Sequence, residues 1–294
     1  MPRSVYVTGA SGWLARELLS RLSDAGFEGV GVSRTCHGPG TLSNDEFICR
    51  SDTRGSLIVH CAFCRRADGE ELVRSLEFSR VVFEKCAREE AAGIVNISSQ
   101  SVYGIEGGMS STENTTLRPH GLYPMAKAAS EILLDSAAGT VPHSSLRLAS
   151  LMGVSGGRTP DCVLGKFVDA AVAGRDLKVL GGRQNFSFLD IRDAVAAILA
   201  FLDLPPARWA KAYNVTPEKQ TNIVDLASLV ATSAAEATGR PPVRVELVPG
   251  EAAISSGGCN KLFRAATGWQ PALGIGETVQ EVIDFKIGER KTDR

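Results

Sequence analysis

Short apolar runs rich in β-branched residues alternate with helical patterns through the first half of the chain. Five runs have the length and flanking residues of buried strands, at residues 4–8, 29–32, 57–62, 93–98 and 145–148. Apolar side chains at three- and four-residue spacing predict helices between them, at residues 13–25, 70–91 and 124–138. This alternation predicts an α/β fold in which helices cover both faces of a parallel sheet.

The second half of the chain has a different residue pattern, with glycine and proline between its predicted elements. The pattern predicts helices at residues 163–173, 193–202, 223–238 and 275–286, and strands at 187–191 and 243–248. We expect residues 1–153 and 187–216 to form a doubly wound, Rossmann-type dinucleotide-binding domain. Residues 154–186 and 217–294 would form a smaller, C-terminal substrate-binding lobe.

A glycine loop follows the first predicted strand and opens the first predicted helix. Residues 8–15 read Thr-Gly-Ala-Ser-Gly-Trp-Leu-Ala. Gly9 permits a tight turn, Gly12 lets the backbone approach a pyrophosphate, and Ala15 allows close packing of helix on strand. The pyrophosphate would lie at the positive end of the helix. Because alanine replaces the third glycine, a plain strand–turn–helix is the alternative.

The second predicted strand ends in Val32-Ser33-Arg34. An acidic residue at this point would accept hydrogen bonds from the ribose 2′-hydroxyl of NAD, whereas an arginine holds the 2′-phosphate of NADP. Ser33 and Arg34 therefore favour NADP(H), with NAD(H) as the second choice. A surface arginine in a loop is the alternative interpretation.

Two residues with acid–base chemistry begin the helix predicted at residues 124–138. In Tyr123-Pro-Met-Ala-Lys127 the tyrosine and lysine are four residues apart and project from one face. A phenol with a pKa of about 10 is a poor acid or base at neutral pH unless an ammonium favours its ionised form. Lys127 is placed to do this for Tyr123, although the same spacing also occurs by chance.

The chain resembles the extended short-chain dehydrogenase/reductase family, also called the NAD-dependent epimerase/dehydratase family, over nearly its whole length. The matching landmarks follow the family's order. They are the glycine loop at 8–15, Ile58-Val-His-Cys-Ala62, Asn96-Ile-Ser-Ser-Gln-Ser-Val-Tyr-Gly104, Tyr123 to Lys127, Leu146-Arg-Leu148, Phe188-Leu-Asp-Ile-Arg-Asp193, Tyr213-Asn-Val215 and Thr267-Gly-Trp-Gln-Pro271.

The resemblance implies roles for individual residues. Ser99 would hydrogen-bond the substrate oxygen, Tyr123 would donate or accept the proton, and Lys127 would lower the pKa of Tyr123 and bond the nicotinamide ribose. The choice of Ser99 over Ser98 rests on alignment. The expected cofactor contacts are Gly9, Ser11, Gly12, Trp13, Leu14, Ser33, Arg34, Cys61, Ala62, Tyr123 and Lys127. The expected substrate contacts are Phe63, Ser99, Gln100, Ser150 and Phe186.

Two departures from the family's pattern bear on the reaction. Dehydratases of the family carry Asp-Glu where this chain has Gln100-Ser101, so we do not expect dehydration. Members that act on sugar nucleotides bind the diphosphate through two arginines and one asparagine, at three separate positions. The aligned residues here are Phe186, Ser150 and Val248. Either another arginine substitutes, or the substrate has no nucleotide diphosphate. The candidate arginines are Arg158, Arg175, Arg183 and Arg244.

We therefore expect an NADP-dependent reductase that converts a carbonyl to an alcohol, on a keto-sugar that is either free or nucleotide-linked, or on a related polar ketone or aldehyde. The alternatives are an NAD(P)-dependent sugar-nucleotide epimerase and a non-catalytic NADP-binding regulator. Family members commonly dimerise through two helices. The resemblance thus implies a homodimer through the helices predicted at residues 70–91 and 124–138.

Composition excludes several classes of protein. The 294 residues carry a formal net charge of −1, too little to hold nucleic acid or an acidic lipid surface. No apolar stretch approaches the roughly 18 residues that span a bilayer, and the start of the chain lacks the pattern of a signal peptide. We expect a cytoplasmic protein without nucleic-acid or membrane partners.

The cysteine count fits a reducing compartment. Seven cysteines are an odd number at irregular spacing, which argues against a disulfide framework. Cys61 and Cys64 form a C-x-x-C pair, but no second pair or histidine cluster lies nearby in sequence to complete a metal site. No metal is expected.

Overall fold

A seven-stranded parallel sheet forms the centre of the computed structural model, which describes residues 3–34, 38, 40–64, 69–104, 110–250 and 255–292. In chain order, the strands of this sheet and of three smaller ones are β1 (Arg3–Thr8), β2 (Phe27–Ser33), β3 (Thr41–Ser43), β4 (Leu57–His60), β5 (Gly93–Ser99), β6 (His143–Leu148), β7 (Ser150–Met152), β8 (Leu177–Leu180), β9 (Asn185–Phe186), β10 (Phe188–Asp190), β11 (Ala212–Val215), β12 (Thr221–Asn222) and β13 (Val245–Val248).

Helices cover both faces of this sheet. They are α1 (Trp13–Leu22), α2 (Asn44–Arg50), α3 (Gly69–Arg88), α4 (Leu122–Ala137), α5 (Val163–Val172), α6 (Ile191–Leu202), α7 (Ile223–Thr238), α8 (Lys261–Thr267) and α9 (Ile275–Thr292). The apolar faces of α1 and α6 pack in one core with β1, β4, β5, β6 and β11. Those of α2, α3 and α4 pack on the opposite face. The predicted α/β, doubly wound fold is confirmed.

The strand order is β11-β6-β5-β4-β1-β2-β3. From β1 the chain first builds outward through β2 and β3, and β4 then pairs on the other side of β1. Connections therefore leave β1 and β4 in opposite directions, which opens a crevice beyond their carboxyl ends. Thr8 and His60, the last residues of these two strands, pair across it.

The sequence interpretation missed β3 and α2, although α2 carries a start signal. The Ser43 hydroxyl accepts a hydrogen bond from the Glu46 amide at 3.1 Å, and the Glu46 carboxylate accepts one from the Ser43 amide at 2.8 Å. This reciprocal pair satisfies amides at the helix N-terminus. Phe47 then anchors the short helix in the core. The strand predicted to reach Ala62 ends instead at His60.

A second hydrophobic core lies among α5, α7 and α9. The parallel pair β8 and β13 joins it, whereas β7 pairs with β10 and β9 with β12 in two further small sheets. The elements predicted at residues 163–173, 223–238, 243–248 and 275–286 correspond to α5, α7, β13 and α9. The exact domain boundaries stay a prediction.

Within the described ranges, no helix is both long and apolar enough to cross a membrane. The described residues also contain no group of three or more His, Cys, Asp or Glu side chains that could hold a metal ion. Six cysteines lie in this part of the chain and none forms a disulfide, while Cys36 lies outside the described residues.

Candidate active site

The glycine loop lies at the crevice between β1 and β4. Gly9 has a φ of +71°, and a Cβ on it would lie 2.8 Å from the backbone N and Cα of Ala62, so a side chain there would collide with the backbone just after β4. The Gly12 amide donates to the Gly9 carbonyl at 2.7 Å, and Gly12 caps α1 without a side-chain hydrogen bond. The first amides of α1 are thus left for an anion.

A cavity of about 430 Å³ opens beside this loop. The predicted cofactor contacts that line it are Gly9, Ser11, Gly12, Ser33, Arg34, Cys61 and Ala62, together with the predicted substrate contact Phe63. Residues that the sequence interpretation missed also line it: Asn44, Cys64, Glu71, Arg74, Ser75 and Phe78. The close-packed glycine loop, the open helix end and the arginine fit a dinucleotide, whose pyrophosphate Gly9 and Gly12 would hold.

A second cavity of about 460 Å³ shares Gly9, Gly12, Cys61 and Phe63 with the first. It brings together the remaining predicted site residues except one. These are Trp13, Leu14, Ser99, Gln100, Tyr123, Lys127 and Ser150. The two cavities therefore place the predicted catalytic group next to the predicted cofactor cleft. Phe186 lines neither of them.

Tyr123 and Lys127 lie in the first turns of α4. The Lys127 side chain is only 4% exposed, and its Nζ donates to the carbonyl of Ile97 on β5 at 2.6 Å. Nζ also lies 4.0 Å from the ring centroid of Phe63 and 5.9 Å from that of Tyr123. The half-buried Tyr123 ring packs edge-on against Phe63, with centroids 6.0 Å apart.

Burial controls the charge of Lys127. Desolvation lowers its pKa from 10.5 to about 7, and the nearby Cys61 and Glu131 oppose this shift. Lys127 therefore gains or loses its proton close to neutral pH. Its protonated form would stabilise an ionised Tyr123, which is the role implied for the pair.

The structure distinguishes the two serines at the end of β5. Ser98 is buried and its hydroxyl donates to Glu131 Oε1 at 2.5 Å, so its hydrogen is already committed. The Ser99 hydroxyl accepts from the Ser101 amide at 3.2 Å and the Ser101 hydroxyl at 2.9 Å. Ser99 thus keeps its own hydrogen for an acceptor in the cavity, which favours it over Ser98 as the substrate donor.

Gln100 connects the sheet to the lobe. Its Nε2 donates to Ser150 Oγ at 3.3 Å, the Ser187 carbonyl at 3.1 Å and Ser256 Oγ at 3.0 Å. The two hydrogens of Nε2 are shared among these three acceptors, which fix the orientation of the amide. The side chain is buried and holds Ser150 by a hydrogen bond, and its neutral amide cannot act as a general acid or base.

A buried ion pair lies behind the predicted catalytic residues, and the sequence did not predict it. Arg147 on β6 donates from Nη2 to Glu131 Oε2 at 2.7 Å and from Nη1 to the Tyr103 hydroxyl at 2.9 Å. The Tyr103 hydroxyl in turn donates to Asn214 Oδ1 at 2.6 Å. Glu131 lies one helical turn after Lys127 on α4, so this network fixes α4 against the sheet.

A sequence model of the NAD-dependent epimerase/dehydratase family matches residues 5–216. The chain belongs to this family. The family expected from the motifs is thereby confirmed, and the match covers the glycine loop, Ser99, Tyr123 and Lys127.

Curated relatives differ in their reactions. A protein of Rhizobium meliloti (strain 1021) named "Probable UDP-glucuronate 4-epimerase" is 28% identical over 210 residues, which are 64% of this chain and 60% of that protein. A dTDP-4-dehydro-6-deoxy-D-allose reductase of Streptomyces sp is 26% identical over 285 residues, or 84% of each chain.

Solved structures of the family agree with the fold. The UDP-glucuronic acid 4-epimerase of Bacillus cereus in complex with NAD superimposes with a TM-score of 0.80 at 16% identity, and the match covers 97% of this chain and 99% of that one. At this identity the similarity establishes the fold alone.

Proposed function

We propose that the chain catalyses reversible hydride transfer at an alcohol carbon of a sugar and acts as an NAD(P)-dependent epimerase. The observation that supports the proposal is that Ser99, Tyr123 and Lys127 line one cavity. This cavity adjoins the cleft at the glycine loop. Among the relatives, the 4-epimerases favour this alternative over the reductase expected from the sequence.

The residues of the cavity supply the acid–base part of the reaction. A bound nicotinamide cofactor would supply the hydride chemistry. Ser99 would donate a hydrogen bond to the substrate oxygen, and Tyr123 would take the hydroxyl proton and later return it. Lys127 would stabilise the ionised form of Tyr123, in which the phenol has no proton. An epimerase uses this exchange twice, so no net proton is consumed.

A keto-sugar reductase is the second candidate, because one observation favours it. Ser33 and Arg34 line the cofactor cleft, and the segment after β2 offers no carboxylate at this point for a ribose 2′-hydroxyl. The relative that matches over 84% of the chain is also a reductase. A non-catalytic regulator is disfavoured, since both Tyr123 and Lys127 are retained.

One experiment separates the two reactions. The purified chain is incubated with a panel of sugars and NADPH or NAD, while cofactor absorbance and product stereochemistry are followed together. An epimerase inverts a hydroxyl with no net change in cofactor absorbance. A reductase consumes one NADPH for each alcohol formed, and a regulator does neither.

Cofactor selectivity gives a direct prediction. If Arg34 holds a 2′-phosphate, NADPH binds more tightly than NADH, and Arg34→Asp reverses this preference because a carboxylate repels the phosphate and accepts from the ribose hydroxyl. Calorimetric titration with both cofactors measures the preference. Arg54→Asp is the control, because Arg54 pairs with Glu90 on the surface and lines neither cavity. Equal affinities in the unmodified chain would remove the basis for NADP selectivity.

We also propose a homodimer. Val73 on α3 and Leu122, Met125 and Ile132 on α4 are each more than half exposed, although they are large and apolar. These helices pack side by side. A second copy that presents the same surface would bury all four residues in a twofold interface. Light scattering should therefore give the mass of a dimer, and Ile132→Asp should give a monomer.

The control for this prediction is Leu247→Asp. Leu247 is as exposed as these residues but lies on β13, in the lobe. Its replacement should leave the dimer intact. A monomeric mass for the unmodified chain at micromolar concentration contradicts the interface.

A further inference from the structure

Phe63 lies where the cofactor cleft meets the catalytic cavity, since it lines both of them. It follows the end of β4, and hydrogen bonds hold the backbone on each side of it. The Ala62 amide donates to the Thr8 hydroxyl, at the end of β1, at 3.3 Å. The Cys64 amide donates to the Ser75 hydroxyl on α3 at 3.4 Å. The backbone that carries the ring is therefore fastened to both β1 and α3.

The ring of Phe63 faces the ammonium group of Lys127. Nζ of Lys127 lies 4.0 Å from the ring centroid of Phe63, whereas it lies 5.9 Å from that of Tyr123. A cation over an aromatic ring is attracted by the negative charge of the ring face, and this attraction is stronger where water is excluded. Lys127 is only 4% exposed. The contact therefore has the surroundings in which a cation–π interaction is strongest.

The titratable groups around Lys127 do little to neutralise its charge. Glu131, one turn further along α4, accepts instead from Arg147 Nη2 at 2.7 Å. At the end of β4, burial raises the pKa of Cys61 to about 12 and lowers that of His60 to about 3, so both are neutral near pH 7. From β5 the ammonium receives only a backbone carbonyl. Within the part of the chain that the structure describes, Lys127 forms no ion pair.

We propose that Phe63 is a positioning residue of the catalytic group, and that its ring face keeps Lys127 protonated where the cofactor cleft meets the catalytic cavity. The inference rests on the proposed function, because a protonated Lys127 is what would stabilise an ionised Tyr123. It gives Phe63 a role beyond the substrate contact that the family resemblance implies.

The charge of Lys127 is sensitive to a small change in its surroundings. Desolvation lowers its pKa to about 7, so its protonated and neutral forms are nearly balanced at neutral pH. Any attraction that the ring adds favours the protonated form. Weakening the ring face should therefore remove the proton at a lower pH, even if the shape of the site is unchanged.

Fluorinated phenylalanines at position 63 test the proposal, because fluorine withdraws electrons from the ring face and changes its size little. Side chains with one, two and three fluorines are incorporated in turn into the full chain. The pKa of Lys127 is read from the NMR signal of its labelled ε-carbon, with and without saturating NAD, and the signal is assigned by its loss in Lys127→Met. The pKa should fall with each fluorine, and by about 1 in all.

The pH profile of turnover gives the functional result. Turnover of a sugar identified by the panel should follow the protonated fraction of Lys127, so each fluorine should move the alkaline limb of the profile to lower pH. With three fluorines, turnover should fall about tenfold near pH 8 and change little near pH 5.5. Phe63→Leu removes the ring and should move the limb in the same direction, at least as far.

The matched control places the same fluorinated side chains at Phe263. This buried residue of α8 packs against the rings of Phe201, Tyr213 and Trp269, and it lines neither the cofactor cleft nor the catalytic cavity. Its fluorination should change neither the pKa of Lys127 nor the alkaline limb. An equal shift from both positions would reflect a general effect on the fold and would overturn the proposal.

Two further results would contradict the role of Phe63. One is a pKa of Lys127 that stays constant through the fluorinated series. The other is a pKa that falls while the alkaline limb stays in place, because the ring would then act on Lys127 without acting on the reaction. A chain that converts no sugar of the panel contradicts the proposed function, and the NMR titration still decides whether the ring holds the proton on Lys127.

Discussion

Tyr123→Phe should lower turnover by about 10²- to 10⁴-fold and leave cofactor affinity nearly unchanged. The substitution removes only the hydroxyl that exchanges the substrate proton. The ring remains, so its edge-on packing against Phe63 and the position of Lys127 beneath Phe63 are retained. Initial rates on a sugar identified by the panel measure the loss. A calorimetric titration of the same protein shows whether the cofactor still binds.

Tyr6→Phe is the matched control for this substitution. The Tyr6 hydroxyl donates to the Asp52 carbonyl at 3.2 Å and lines neither the cofactor cleft nor the catalytic cavity. Its loss should leave turnover at the level of the unmodified chain. If Tyr123→Phe also kept that level on a genuine substrate, Tyr123 would not be the proton-transferring residue, and the regulatory alternative would gain support.

The central sheet was predictable because its strands are buried on both faces. β4, for example, is continuously buried, and it appears in sequence as the short apolar run Leu57-Ile-Val59. β6 is equally buried but contains Ser144, Ser145 and Arg147, so only its leucines signal the strand. The glycine loop was predictable for a local reason, since the turn after β1 gives residue 9 a φ of +71°, which favours glycine. Both signals lie within a few residues of the feature that they predict.

The predicted catalytic pair was visible in sequence, but its electrostatic surroundings were not. Tyr123 and Lys127 are neighbours on one helix, whereas Glu131 meets Arg147 only after α4 packs on the sheet. Such partners depend on which strand lies beneath the helix, and spacing along the chain does not encode this. The lowered pKa of Lys127 has the same origin, because it results from burial that tertiary packing creates.

Substrate recognition was the least predictable part. Alignment placed Phe186 where the family has a clamping arginine, and the structure puts it in a separate cavity from Ser99. Gln100, an expected substrate contact, lines the same cavity as Ser99, but the hydrogen bonds from its Nε2 to Ser150, Ser187 and Ser256 were not predicted. Each of these placements depends on contacts between the sheet and the lobe over long separations in sequence.

Glu131→Ala should reduce the free energy of unfolding by about 3–5 kcal/mol, because it leaves a buried guanidinium without its counter-ion. Arg147 donates to Glu131 from Nη2 at 2.7 Å and from Nε at 3.1 and 3.2 Å, and Ser98 donates to the same carboxylate at 2.5 Å. The two side chains are only 7% and 10% exposed, so water cannot replace the lost acceptor. Urea denaturation with linear extrapolation measures the change.

Two variants separate the buried charge from a general loss of packing. Glu281→Ala removes a carboxylate that pairs with Arg192 at 2.7 Å, but these side chains are 36% and 35% exposed, and the expected cost is below about 1 kcal/mol. The double replacement Glu131→Leu with Arg147→Met removes both buried charges and should recover much of the stability lost in Glu131→Ala. If Glu131→Ala alone cost less than about 1 kcal/mol, water or another acceptor would have to reach Arg147, and the network could not be what holds α4 and its Lys127 on the sheet.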